Sequence, residues 1–381
     1  MKSNHSIIIV GDLFPVQSNI TKFSEGDVSY LFGDRICSLF ANADYRICNL
    51  EGALTDRPGN CEKTGPRIYA PRAVLNGYVK LGIDCCTLAN NHITDAGDQG
   101  VIDTLDTLDK ADILHLGAGI NSNSICHFKT IVVGNKRIVL YNVAETMFNE
   151  PSSDKAGAYL YDEYLVCREL EDLKSRCDYL IVIYHGGLEK YRYPSPQTRK
   201  RFHRMVDCGA NIILSQHTHC VGSEEYYKGA YLLYGQGNFL FRCFNDGFSN
   251  TGLILELEFS DNGFVVKKHL VDAIGDTVRY NENQDFNSFN ARSAHISDEE
   301  FLAQQFSAYC LNELPVYLKA FKGKYFGYRI LRRFFPKIYR WISLNRYDRV
   351  QLLFTLHSLR SEQNREIAIE GIKTYLKQFG K

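Results

Sequence analysis

The sequence predicts an α/β fold over residues 1–272 and a helical extension after it. Two observations carry this prediction. Short apolar runs rich in β-branched residues recur along the first part of the chain, with helix-period segments between them. Alternation of that kind marks a sheet with covering helices. Several runs also end in a polar residue able to bind or catalyse, which is where sheets of this class present their ligands.

Strands are expected, in order, at residues 7–10, 45–50, 85–89, 129–133, 138–143, 179–184, 211–214 and 231–234. Each is a brief apolar run such as Leu180-Ile181-Val182-Ile183-Tyr184. Residues 253–259 alternate apolar side chains with Glu256 and Glu258, the pattern of a half-solvated strand. Helices are expected over 100–110 and 195–208. In the first, Asp103, Asp106 and Asp109 recur opposite Ile102, Leu105 and Leu108, so they read as a solvated face and not a site. Residues 273–297 are polar, with Asn-Glu-Asn and Asp-Phe-Asn clusters, and read as a linker. Ser297 followed by Glu300 has the form of a capping box opening a helical region over 298–381.

The chain has 381 residues, enough for one large domain or two, and its 44 Lys and Arg balance 44 Asp and Glu. A net charge of zero supplies no global field for nucleic acid, so no nucleic-acid partner is expected. The balance conceals one uneven stretch: residues 316–350 carry ten Lys or Arg against only Asp348. Within it, residues 325–344 interleave aromatic residues with Arg329, Arg333, Lys337 and Arg340 at helical spacing, interrupted by Pro336. That segment reads as an appendage packing its rings on the main domain, as a docking surface for an anionic membrane, or as a polyanion contact. The twelve cysteines are scattered without a Cys-x-x-Cys pair, as free thiols in a reducing compartment are. No signal peptide is recognised, and no run approaches the roughly eighteen apolar residues of a membrane span. The expected location is the cytoplasm, or the inner face of the membrane as a peripheral protein.

The polar strand ends carry the chemistry. Asp12 follows Gly11 after the first run, where alone it serves equally as a turn former. Glu51 closes the second, after Asn49-Leu50, and its carboxylate can bridge two ions. In Asn90-Asn91-His92, Asn91 offers an amide oxygen as a neutral ligand, and His92 can polarise a substrate oxygen or donate a proton. His185 ends the most apolar run, where a lone histidine is more often a satisfied core residue. Gly186-Gly187 then lets the backbone approach closely, and Glu189 can orient an imidazole. His217-Thr218-His219 follows Ile212-Ile213-Leu214; residues two apart in an extended segment face one side, so both rings can address one ion. Alone, that pair is as readily a core or surface pair. Together, carboxylate, amide and imidazole suit a divalent zinc, manganese or iron.

These residues, in this order, resemble the capsule-synthesis CapA family of the calcineurin-like metallophosphoesterase superfamily. The motifs that match are Gly11-Asp12, Asn49-Leu50-Glu51-Gly52, Ala89-Asn90-Asn91-His92 with Asp95-x-Gly97, and Leu116-Gly117-Ala118-Gly119. Further along, His185-x-Gly187-x-Glu189, Gly209-Ala210-Asn211, His217-x-His219 and Gly237-Asn238-Phe239 match too, so the resemblance spans roughly residues 6–260. It implies a four-layer α-β-β-α sandwich of the metallo-dependent phosphatase type, with one or two divalent ions (manganese, iron or zinc) at the strand ends. Carried over by position, Asp12, Glu51 and His219 would surround one ion, and Glu51, Asn91, His185 and His217 the other. His92 would be catalytic; Glu189, Asn238 and Asp95 would support ligands or contact substrate. Two ions about 4 Å apart would clamp an anionic substrate and lower the pKa of a bridging water.

The chain departs from the superfamily pattern at Phe14, where a histidine is usual, and at Glu51, where the bridging residue is usually Asp; the CapA family shares both changes. Within that family, Gly186 replaces a usual Trp and Ser215-Gln216 a usual Gly-His. The function implied is a metal-dependent, phosphoesterase-type hydrolase in capsule, poly-γ-glutamate or exopolysaccharide biosynthesis. Its substrate would be an anionic polymer or a phosphorylated small molecule, and residues 325–344 would contact a membrane or capsule synthase. Two alternatives stand beside it: a non-catalytic accessory protein that binds an anionic polymer or its synthase, and an amidase or peptidase acting on an amide-linked polymer.

Overall fold

In the computed structural model, which describes residues 5–61, 63, 65–241, 247–321 and 349–379, the chain forms two compact units. The first comprises residues 1–61 and 67–302, the second residues 62–66 and 303–381.

Two sheets organise the first unit. One has eight strands, in the order Thr277–Tyr280, Gly263–Ile274, Thr251–Ser260, His5–Leu13, Tyr45–Leu50, Cys85–Thr87 and Leu114–Leu116, with Asn238–Leu240 also pairing on His5–Leu13. The other has six: Glu224–Tyr227, Ala230–Leu233, Ile212–Gln216, Tyr179–His185, Lys136–Ala144 and Phe128–Val133. The expected strands are all present, within a few residues of their expected ends. Their central members run parallel, which requires both faces to be covered and explains why they read as unbroken apolar runs.

Side-chain alternation sorts the core into three apolar layers. Ile7, Ile9 and Ile47 of the first sheet meet Leu140, Ile181, Ile183, Ile212 and Leu214 of the second. Their neighbours Ile8, Val10 and Cys48 point the other way, onto Phe32, Ile36 and Phe40 of helix Val28–Asn42 and onto Val101 and Leu108 of helix Gly97–Lys110. Val139, Tyr141, Leu180 and Val182 face the opposite outside, against helices Glu163–Lys174 and Pro196–Asp207. Helix, sheet, sheet, helix is the resulting order, the four-layer sandwich implied by the resemblance.

Three local expectations are corrected. Residues 273–297 are not a linker: Thr277–Tyr280 is an edge strand antiparallel to Gly263–Ile274, and helix Asn287–Ala294 buries Phe289 and Arg292. The polar composition reflects an edge with turns, in which Asn281 Nδ2 donates to Asp272 at 2.7 Å and Gln284 Nε2 to the Leu270 carbonyl at 2.9 Å. Nor is Asp103 on a solvated face. It is buried, accepting from Thr55, Gln99 and Arg57, while Ile102 beside it is exposed. The helix therefore presents Asp103 to a polar anchor, and Asp106 and Asp109 to Lys110 and the His115 ring on its flank. Finally, Asp298 and not Ser297 caps helix Glu299–Phe321, accepting the Phe301 N–H at 2.9 Å.

The second unit is helical, with Arg349–Arg360 and Glu362–Phe379 following the remainder of Glu299–Phe321. Gly371 allows a close approach to the Cys310 carbonyl, and Ser307 Oγ donates to Glu370 at 2.9 Å. The basic aromatic segment 325–344 lies outside the described residues. No described helix is long and apolar enough to cross a membrane.

One half-buried cluster pins helix Glu163–Lys174 to its sheet. The Tyr141 and Tyr159 hydroxyls donate to Glu169 Oε2 at 2.6 and 2.8 Å, and His127 Nε2 lies 3.1 Å from the same oxygen. Burial pushes the Glu169 carboxyl up, but His127 and the two tyrosines outweigh it and hold the pKa at about 2. Because the folded value lies below the unfolded one, this stabilisation is present above the ordinary carboxyl range and is lost as pH falls toward 2. Glu169→Gln is expected to lower unfolding free energy at neutral pH by on the order of 2 kcal/mol, with the deficit shrinking between roughly pH 4.5 and 2. Urea titrations of both proteins across that range check it; a deficit independent of pH would refute the linkage.

Candidate metal centre

All the parallel strands that supply candidate ligands end at the same edge of the sandwich. Asp12 stands opposite Asn49 in the pairing of the first two strands, and Glu51 follows Leu50. Gly11 is required there, because a Cβ would run into the Gly237 carbonyl. From the second sheet, His185 ends its strand opposite Gln216, and His217 follows. His217 and His219 have φ of 91° and 53°, left-handed values that non-glycine residues adopt at a cost of order 1–3 kcal/mol each. The extended His-x-His inferred from spacing is therefore replaced by a strained turn, which still brings both rings to the centre.

The structure draws Asp12, Glu51, Asn91, His92, His185, His217 and His219 together, every one of them buried. Ligand atoms of Asp12, Glu51 and His219 lie within 4.8 Å of one another, as do those of Glu51, His185 and His217. His185 Nε2 is 2.8 Å from Asn91 Oδ1 and 3.6 Å from Glu51 Oε1. Asp12 Oδ2 lies 3.3 Å from His219 Nδ1, and Asp12 Oδ1 accepts from Asn49 Nδ2 at 2.8 Å. Beside this cluster His92 Nδ1 sits 2.6 Å from Asp95 Oδ2, which also accepts the Ile68 N–H at 2.7 Å; His92 Nε2 is 3.9 Å from Glu51. Asn238 Oδ1 is 2.9 Å from His219 Nδ1, and Phe241 stacks on the same ring. Glu189 reaches the rim, 3.9 Å from His217 Nε2.

Electrostatics show what the cluster lacks. Burial, followed by the neighbouring Asp12 carboxylate, pushes the Glu51 carboxyl well above its usual range. Burial acts on Asp12 the same way, but a hydrogen bond from His219 and the charge of His185 and His219 hold it well below the usual range. His185 is pushed well down by burial and by His217, leaving a neutral imidazole with a lone pair to share. His219 is raised: its own burial is outweighed by Asp12 and Glu189. Both Glu51 oxygens are enclosed without a hydrogen-bond partner among the described residues, and Asp12 Oδ2 is met only by His219 Nδ1 at 3.3 Å. Buried carboxylates of this kind are ordinarily paired or bound to a cation. Their oxygens, a neutral amide and three imidazoles fit a divalent ion of the manganese, iron or zinc type.

Sequence reasoning missed the residues that lock the site. Asn142, a lone amide inside an apolar strand, accepts the Ala89 and Leu88 N–H groups at 2.7 and 3.1 Å and donates to the Ile183 carbonyl at 3.0 Å. It ties the loop leading to Asn90-Asn91-His92 to the other sheet. Gln216 and Gln236 donate across the sandwich to the Val10 and Ile9 carbonyls. A buried amide interrupting an apolar run was the available signal. Phe14 brings no donor; its ring packs in the outer core against Gly52.

Residues 6–243 match the family model described as bacterial capsule synthesis protein PGA_cap. The capsule biosynthesis protein CapA of Bacillus anthracis is 28% identical over 241 residues, covering 59% of this chain and 57% of that protein. A probable polyglutamine synthesis accessory protein of Mycobacterium tuberculosis is 28% identical over 214 residues, 51% of this chain and 55% of that one. The chain thus spans little more than half the length of the curated relatives it matches. Among solved structures, a phosphatase from Mycoplasma pneumoniae aligns with a TM-score of 0.44 at 14% identity, covering 76% of this chain and 100% of that one.

Glu51→Gln separates the cost of the buried charge from its use. Without metal the variant is expected to be no less stable than the parent, because the ionised Glu51 opposes folding. Manganese at a hundred times its Kd stabilises a one-site protein by about 2.7 kcal/mol, so the parent's Tm should rise by several degrees and the variant's should not. Thermal melts with and without manganese check both halves; an equal rise in the two proteins would remove Glu51 from the site.

Proposed function

We propose, from the premise that this chain belongs to the bacterial capsule synthesis family PGA_cap, that its first unit is a metal-dependent hydrolase of phosphoester type. Its substrate is an anionic polymer or a phosphorylated small molecule used in capsule, poly-γ-glutamate or exopolysaccharide formation. The observation that carries this reading is the pair Asp12 and Glu51, enclosed side by side with both Glu51 oxygens lacking a donor and imidazoles around them. Asp12, Glu51, Asn91, His185, His217 and His219 would hold the cation or cations. A divalent ion bound there supplies Lewis acidity, neutralising substrate charge and acidifying a water.

His92 supplies the protein's own proton chemistry. Asp95, held by the Ile68 N–H, accepts from His92 Nδ1 and so leaves Nε2 aimed at the cluster, on the Glu51 side. A proton at Nε2 is then placed for a departing oxygen, and the Asp95 carboxylate stabilises the imidazolium that carries it. Asn238 accepts from His219 Nδ1, which fixes that tautomer and turns Nε2 away from the Asn238 side. Low exposure of the whole set keeps competing water out and strengthens each charge interaction.

A non-catalytic reading, in which the protein binds an anionic polymer or its synthase, is favoured by Phe14. Its buried ring stands two residues beyond Asp12 and leaves that side of the cluster with fewer donors.

Hydrolysis of an aryl phosphomonoester and an aryl phosphodiester, with manganese, iron or zinc, discriminates the two. Turnover of one ester is expected. His92→Asn should lower kcat by about 10²–10⁴-fold at unchanged metal content, whereas His217→Ala should lose metal itself, read by elemental analysis. Stoichiometric metal without turnover of either ester would establish the binding role instead.

A further inference from the structure

The six-ligand set leaves out one donor that the fold delivers to the same place. Ligand atoms of Glu189, His217 and His219 lie within 4.8 Å of one another, a third trio beside Glu51-His185-His217 and Asp12-Glu51-His219. His217 and His219 each belong to two trios. The donors therefore form one connected surface, from the fully enclosed Glu51 to Glu189, whose side chain is 49% exposed. We propose that Glu189 is a direct metal ligand, the solvent-side donor to a cation bound beside His217 and His219, and not a residue that merely orients an imidazole. The inference rests on the metal-centre reading above.

The backbone is built to put Glu189 there. Gly187 and Lys190 both adopt left-handed φ, 100° and 60°, and bracket Leu188-Glu189. Lys190 is not glycine, so the conformation costs free energy and persists only because its surroundings impose it. Those surroundings are the histidine loop itself. The Lys190 N–H donates to the Thr218 carbonyl at 2.8 Å, the Gly186 N–H to the Gln216 carbonyl at 3.0 Å, and Ser215 Oγ to the Gly186 carbonyl at 2.8 Å. Glu189 is thus stitched on both sides to the segment that carries His217 and His219.

Distance then separates the two roles. Glu189 Oε1 lies 3.9 Å from His217 Nε2. That is too long for the hydrogen bond by which a carboxylate orients an imidazole. It suits two donors of one ion: with metal–ligand bonds of about 2.1 Å, two ligands of the same cation lie no more than about 4.2 Å apart. A carboxylate with two imidazoles is also a donor set suited to manganese, iron or zinc.

The test titrates the metal-free full chain with manganese by calorimetry and records the visible spectrum of the cobalt-loaded protein. Glu189→Gln keeps a hydrogen-bonding amide but is a poor ligand; it should weaken manganese binding at least about tenfold and alter the cobalt bands. Glu189→His, which supplies a new donor, should restore most of the affinity. Metal-free Tm should be unchanged in both, since the side chain is half exposed. Parent-like affinity and spectrum in Glu189→Gln would overturn the assignment while leaving the metal centre standing, as would equal weakening in the Gln and His variants. A parent protein that binds neither manganese nor cobalt would refute the metal-centre reading itself.

Discussion

Two carboxylates buried beside one another at the ends of adjacent parallel strands set the terms for the rest of this molecule. Asp12 and Glu51 come from strands paired directly, and neither is open to water. Two like charges without solvent are unfavourable both by desolvation and by mutual repulsion. The chain relieves Asp12 from within: Asn49 donates to one oxygen, and His219 lies against the other. Glu51 receives no comparable relief: His185 Nε2 at 3.6 Å and His92 Nε2 at 3.9 Å are too far to hydrogen-bond it. An apolar substitute at either position would avoid that cost, so folding alone does not account for the pair, whereas the cation proposed above would.

The second sheet answers that constraint. His185 and His217 arrive from it, while Asp12, Glu51 and Asn91 arrive from the first, so the centre exists only while the sheets keep their register. Apolar layers alone would tolerate sliding, because dispersion and burial are not directional. Directional bonds across the interface prevent it. Asn142 grips the loop before Asn90 while donating to Ile183, and Gln216 and Gln236 hold the carbonyls of the strand that ends in Asp12. The same stiffness sustains the left-handed His217 and His219, whose strain an uncoupled loop would release.

What the sequence made legible follows from the range of each interaction. Strands and covering helices were readable because burial on both faces writes itself into a local run, as in Leu180 to Tyr184. The ligands were readable because each terminates such a run. Asn142, Gln216 and Gln236 show locally only as amides beside apolar runs; their partners from the first sheet and its loop, the Ile9 and Val10 carbonyls and the Leu88 and Ala89 N–H groups, are set by tertiary contact. Asp103 misled for the same reason: its spacing suited a wet face, but Thr55 and Arg57 come from a distant loop. The stretch 273–297 looked like a linker because an edge strand and its turns are half solvated, and polar composition records solvation rather than pairing.

The departures from the family pattern make sense on these terms. Phe14 packs its ring against Gly52 in the outer core, so the position contributes burial instead of a donor. At Gly186 a Cβ would come within 2.6 Å of Glu145 Cγ. Glu145 accepts from Tyr184 and pairs with Arg201 at 3.1 Å, so a buried ionic network occupies the volume that a larger side chain at residue 186 would need. Both changes alter the wall while leaving the carboxylates and their imidazoles in place. Asp12 and Glu51 stay buried at an energetic cost that the packing around residue 14 does not offset, and the proposed cation is what would offset it.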